Sequence, residues 1–136
     1  TGEALDVEYS EAGRYIPDAL LTINHLLRDF RSGQVHPIDP ALLDVLHALR
    51  QQVGGRAPFE IISAFRSPET NAMLAGHSSG VATESLHLSG RAIDIRLPGV
   101  ATAELRDAGM RLRAGGVGYY RESDFIHVDT GRVRYW

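Results

Sequence analysis

Apolar residues recur along this chain with two different periods. The three-to-four period opens at Pro17, where PDALLTINHLLRDF sets Leu20, Leu21, Ile23, Leu26, Leu27 and Phe30 on one broad face. A helix is expected there, with the proline in its first turn. A loop, RSGQVHPI, separates it from DPALLDVLHALRQQV, whose apolar face is Leu42, Leu43, Val45, Leu46, Leu49 and Val53. Asp39 is a good N-cap, Pro40 fits the first helical position, and Gly54 and Gly55 end the helix. RSPETNAMLAG predicts a short helix capped by Ser67, and TAELRDAGMRLRA another from Thr102. The period of two marks strands at FEIISAF, AIDIRL, GGVGYY, FIHVD and VRYW, the last three reading as a terminal meander. Residues 1–16 follow neither period and are expected to be irregular. Residues 76–90 form a Gly/Ser-rich loop, longer than ordinary connectors, and such loops are often functional.

Helices first, a strand and helix in the middle, and short strands at the end predict an α+β fold. Its small sheet should be mainly antiparallel, with helices packed on one face. The length, 136 residues, fits one domain spanning 1–136, without repeat or linker.

The strand AIDIRL raises the chemical question. Side chains alternate between faces, so Ile93, Ile95 and Leu97 share the core face while Ala92, Asp94 and Arg96 share the other. A carboxylate at Asp94 therefore faces whatever lies over the sheet. His87 closes the long loop, and Gly90 lets the chain turn between them. FIHVD repeats the pattern, with Phe125, His127 and Asp129 on one face. If the two strands are neighbours, His127 meets Asp94 and His87. Two imidazoles and a carboxylate suit zinc and leave a fourth position for water, whose pKa zinc lowers toward about 7. On spacing alone, satisfied histidines and an aspartate paired with an arginine are the commoner outcome.

Composition narrows the rest. With 43% hydrophobic and 23% charged residues the chain is ordinary globular, so disorder is not expected. Fourteen basic residues, none of them lysine, stand against 17 acidic ones without a basic block, which argues against nucleic acid as a partner. There is no cysteine, hence neither disulfide nor thiolate metal site. No apolar run approaches the roughly 20 residues of a membrane span. The first residue is Thr1, which is compatible with a signal or anchor upstream. A monomer is expected.

SLHLSGRAID, GGVGYY and FIHVDTG together resemble the M15-type zinc peptidases, which share their fold with D-Ala-D-Ala carboxypeptidases and the hedgehog signalling domain. The likeness is greatest to the YcbK group of murein endopeptidases and covers nearly the whole chain. SAFRSPETN also fits, although Ala64 and Phe65 stand where that group has glycine and tyrosine. The resemblance implies Zn2+ held by His87, Asp94 and His127, and Arg66 binding substrate or stabilising an oxyanion. It implies Asp124, three residues before His127, as general base. In a regular strand those two would face opposite ways, so Asp124 must lie in the turn before it; Asp129 is on the right face, where it either acts as base or orients a ligand histidine. Ser79 to Ser85 and Tyr119, with Tyr120, are expected along the cleft, Ser85 and Tyr119 as substrate contacts. Glu84, Glu122, His25, His36, His47 and His77 are weaker candidates. No Gly-x-Ser-x-Gly elbow marks a serine nucleophile. The implied activity is hydrolysis of stem-peptide cross-links in peptidoglycan, in the periplasm or outside the cell. Alternatives are a D,D- or L,D-carboxypeptidase and a non-catalytic wall-binding module on the same fold.

Overall fold

A computed structural model describes residues 3–6, 8–77 and 85–136. The elements in order are β1 (Ser10–Glu11), β2 (Arg14–Tyr15), α1 (Pro17–Leu26), α2 (Pro40–Val53), β3 (Glu60–Ser63), α3 (Pro68–His77), a 3-10 turn (Leu86–Ser89), β4 (Ala92–Arg96), α4 (Thr102–Leu112), β5 (Gly116–Tyr120), β6 (Phe125–Asp129) and β7 (Arg134–Tyr135). The α+β expectation holds: β3 to β7 form one five-stranded sheet in the order β3-β4-β6-β5-β7.

The core lies on one face of that sheet. Ile93, Ile95, Val117, Ile126 and Val128 meet Leu42 and Leu49 of α2 and Leu105 and Ala108 of α4. Leu42, Leu49, Ile93, Ile95, Leu105, Ala108 and Ile126 are wholly buried. Each such side chain contributes about 1.5–3 kcal/mol on leaving water, alanine less, so this face anchors the other. As expected, the Asp39 carboxylate caps α2, accepting from the Ala41 N–H at 3.0 Å, and Gly54 ends it in the left-handed conformation (φ 68°). α1 stops at Leu26, short of Phe30, because the chain turns at Leu27 to shape a loop around Asp29.

Asp29 is a buried carboxylate with a structural task. It accepts from the N–H groups of Arg31 (2.9 Å) and Ser67 (2.8 Å), tying the loop after α1 to the start of α3. Burial alone would push its carboxyl up. The hydrogen bonds from Ser67, Thr70 and Arg31 outweigh that and hold it well below the usual carboxylate range.

Two expectations need correcting. Residues 1–16 are not all irregular: β1 and β2 make a small hairpin, and the Tyr9 and Tyr15 hydroxyls donate to Asp44 of α2 at 2.8 and 2.6 Å. The terminal strands are not a simple meander either. After β6 the chain crosses to the far side of β5, where β7 pairs with β5 in parallel, Gly116 opposite Arg134 and Val117 opposite Tyr135. The other pairings in the sheet are antiparallel. Among the described residues no helix is long and apolar enough to cross a membrane.

Candidate metal centre

The second face of the sheet carries the polar residues that the strand alternation predicts. β4 and β6 are neighbours, and their register sets Asp94 directly opposite His127 and Ala92 opposite Asp129. Directly opposed residues have Cβ atoms about 4.5–5.5 Å apart, so carboxylate and imidazole meet. His87 arrives from the 3-10 turn. The Ser85 hydroxyl accepts from the His87 N–H at 3.1 Å, and Gly90 (φ 68°) reverses the chain into β4. A bulge between Ile61 and Ser63 takes the chain out of β3 and brings the Ala64 carbonyl against His87.

His87, Asp94 and His127 each offer one ligand atom, and these lie within 4.8 Å of one another. All three residues are buried, with exposures of 2%, 5% and 8%. The hydrogen bonds decide which ring nitrogens are on offer. His87 Nδ1 stands 2.6 Å from the Ala64 carbonyl, which only accepts, so Nδ1 carries the proton and Nε2 is left facing Asp94 at 3.3 Å. His127 is turned the other way: Nε2–H donates to Asp129 at 2.7 Å, and Nδ1 faces Asp94 at 3.1 Å. Histidines that bind metals commonly have their second nitrogen fixed by a carbonyl or carboxylate in this manner. Two inward nitrogens and one carboxylate fit a tetrahedral ion with an open position.

The electrostatics match. Burial pushes the Asp94 carboxyl up, but hydrogen bonds and charge from His127 and His87 hold it well below the usual range. Burial opposes a charge on His127, yet its bonds to Asp129 and Asp94 raise its pKa overall. The site therefore favours a cation between these groups, a proton included.

Around this core the remaining candidates fall into different places. Arg66 is nearby: Nη2 lies 3.3 Å from Asp94 Oδ2, while Nε donates to Ser63 at 3.2 Å and Nη1 to Asn71 at 3.4 Å. Asp124 does lie in the turn before β6, in the left-handed conformation (φ 55°). Its exposed carboxylate accepts from the Thr102 hydroxyl at the start of α4 and stands 3.8 Å from Arg96. Asp129 is fully engaged. One oxygen accepts from the N–H groups of Gly116 and Gly131 and from Arg134, the other from His127 and Arg134. Both of its oxygens are therefore engaged, one of them on His127.

Tyr119 is a correction. It pairs with Ile126 in the register of β5 and β6, which puts it on the helix face, and Arg106 of α4 lies 4.6 Å from its ring centroid. Tyr120 is the tyrosine on the metal face, stacked on Phe125 at 4.7 Å. Parity gave the signal: Val117 is a core residue, so Tyr119 had to follow it inward. Arg134 and Trp136 were not anticipated. Arg134 grips Asp129 with two bonds, and the Trp136 ring lies 5.1 Å from that of His127. Ser79 to Glu84 lie outside the described residues. His25, His47 and His77 sit on helices and do not join the His87, Asp94 and His127 group, and His36 stacks on Phe65. A groove of about 1000 Å3 between the N-terminal segment, α1, α2 and β3 is lined by none of the three candidate ligands.

A family model described as peptidoglycan L,D-endopeptidase MepK, of the M15 peptidases, matches residues 1–136. The peptidoglycan L,D-endopeptidase MepK of Escherichia coli K12 is 43% identical over 136 residues, which cover 100% of this chain and 75% of that protein. The probable MepK of Haemophilus influenzae is 45% identical over 137 residues, covering 100% of this chain and 74% of the relative. A crystal structure of the Serratia marcescens L-Ala D-Glu endopeptidase ChiX aligns with a TM-score of 0.42 at 22% identity, over 56% of this chain and 62% of that one, too slight a likeness to build on. With its whole length matched and its polar face built around His87, Asp94 and His127, this chain belongs to the M15 peptidase family of the MepK endopeptidases.

Proposed function

We propose that this protein is a zinc-dependent hydrolase of peptide cross-links in bacterial peptidoglycan, working in the cell envelope. The observation that carries the reading is the opposed orientation of the two imidazoles. His87 presents only Nε2 and His127 only Nδ1 to the point where the Asp94 carboxylate lies, each second nitrogen being held from behind. Zinc bound by these three residues supplies Lewis-acid polarisation of a carbonyl and a more acidic water.

The protein's own groups supply the rest. Arg66 uses three of its N–H groups on Ser63, Asn71 and Asp94. A guanidinium has five, so donors remain for the oxygen of the scissile carbonyl as charge develops on it, or for a substrate carboxylate. Asp124 is assigned the proton: it takes one from the attacking water and returns it to the leaving amine. Its exposure leaves it acceptor capacity beyond the Thr102 bond, whereas both oxygens of Asp129 are filled. Ser85 acts at the cleft edge chiefly by capping the turn that delivers His87.

The test is a digest of purified peptidoglycan with and without a chelator, read by mass spectrometry. Chelator-sensitive release of cross-linked stem peptides supports the reading, and the fragment masses identify the bond. Loss of terminal residues alone would make the protein a carboxypeptidase. Intact peptidoglycan in the presence of stoichiometric zinc would reject hydrolysis in favour of wall binding.

A further inference from the structure

Trp136 is unusual in being both exposed and pinned. Nearly half of its surface, 49%, is open to solvent. Yet its position is fixed by contacts on several sides. Its backbone N–H donates to the Val117 carbonyl at 3.0 Å, and its carbonyl accepts from Tyr119 at 2.8 Å, extending the β7 pairing. The indole Nε1–H donates to the Tyr120 hydroxyl at 2.8 Å. The Arg134 guanidinium lies 5.0 Å from the ring centroid. The ring itself rests on Gly118: a Cβ there would fall 2.6 Å from indole atoms. Gly118 is the residue opposite His127 in the register of β5 and β6. The glycine is therefore what lets a large aromatic ring lie flat beside the metal centre, with its centroid 5.1 Å from that of His127.

An exposed aromatic ring costs hydrophobic free energy unless something covers it, and a ring held in one orientation loses little entropy when it is covered. The chemistry of the missing cover follows from what the ring has left to offer. Its one polar group, Nε1–H, is already satisfied by Tyr120, and a cation already lies against it in Arg134. Only apolar surface remains, beside the His127 ring. We propose that the Trp136 indole is a specificity wall of the cleft, receiving an aliphatic side-chain segment of the peptide substrate next to the bond that is cut. The inference rests on the peptidase reading and adds to it the residue that selects the substrate. Trp136 touches substrate by this account, and Gly118 is a positioning residue that acts through it.

The chain has a single tryptophan, so the wall carries its own reporter. The experiment compares zinc-loaded wild-type protein with Trp136→Ala, Trp136→Phe and Gly118→Ala on a soluble cross-linked muropeptide, together with zinc stoichiometry for each. Removing an aliphatic contact lowers affinity by about tenfold, and loss of uniform binding appears in KM rather than kcat. Trp136→Ala and Gly118→Ala are expected to raise KM about tenfold with kcat within about threefold and zinc still stoichiometric. Trp136→Phe is expected to retain most of the affinity. Titrating the wild-type protein with its own purified digestion products should shift or quench the tryptophan emission. Wild-type cleavage with unchanged KM in Trp136→Ala, or emission that ignores saturating product, would overturn the wall and leave the peptidase reading standing. Failure of the wild-type protein to cleave would bring down the reading itself.

Discussion

The carboxylate behind His127 offers the sharpest test of how the centre is built. In Asp129→Asn the side chain keeps its shape and loses one acceptor. Asp129 now accepts five hydrogen bonds, from His127, Gly116, Gly131 and twice from Arg134. An amide has one oxygen. If that oxygen faces His127, the NH2 group confronts the N–H groups of Gly116 and Gly131; if it faces the glycines, the NH2 confronts His127 Nε2–H. Two separate losses follow. Without a carboxylate to fix its tautomer and ring plane, His127 holds metal about 10–100-fold more weakly, or about 1.4–2.7 kcal/mol. The fold loses about 1–3 kcal/mol for donors left facing donors in a buried place. Competition for zinc against a chelating dye measures the first, and thermal unfolding in excess chelator measures the second. A variant that melts lower yet binds zinc as the wild-type protein does would show that Asp129 only braces the strands, and the orienting role would be wrong.

Three further outcomes are expected. Zinc at about a hundred times its Kd should raise the unfolding free energy by about 2.7 kcal/mol, and His127→Ala should abolish that shift in a melting scan. Asp124→Asn should keep stoichiometric zinc while turnover of peptidoglycan falls about 10²–10⁴-fold; unchanged turnover would remove Asp124 from the mechanism. Asp29 gives a pH effect of defined sign. Its folded-state pKa is depressed, so its stabilisation is complete above the ordinary carboxylate value near 4 and is lost as pH falls below it. Melting temperatures between pH 5 and 3 should therefore fall more steeply for the wild-type protein than for Asp29→Asn.

Much of the site was legible because strand alternation fixes faces without knowledge of pairing. Asp94 and His127 are each flanked along the strand by apolar residues on both sides, so both had to leave the core face. The adjacency of β4 and β6 could be stated only as a condition, since register is a tertiary property. Tyr119 shows how little separates success from error: a shift of one residue exchanges faces, and Tyr119 and Tyr120 are chemically identical. Attention to Val117 would have settled it. VRYW was legible as a strand, but nothing in it pointed Arg134 and Trp136 at the site, because the parallel return of β7 to β5 joins residues that the chain order does not suggest. The bulge in β3 is hidden for the same reason. Its purpose appears only once the Ala64 carbonyl is seen against His87.

That last contact divides the centre into two kinds of heredity. His87 is held by a main-chain oxygen, which every amino acid at position 64 would provide, so substitutions there are judged by size alone in a place that is 5% exposed. Alanine in place of a glycine is such a substitution, and it leaves the ligand's support intact. His127 is held by the side chain of Asp129, and nothing but a carboxylate satisfies the five donors gathered around it. The support of His87 survives changes of side chain around it, while the support of His127 ties together residues from three strands at once.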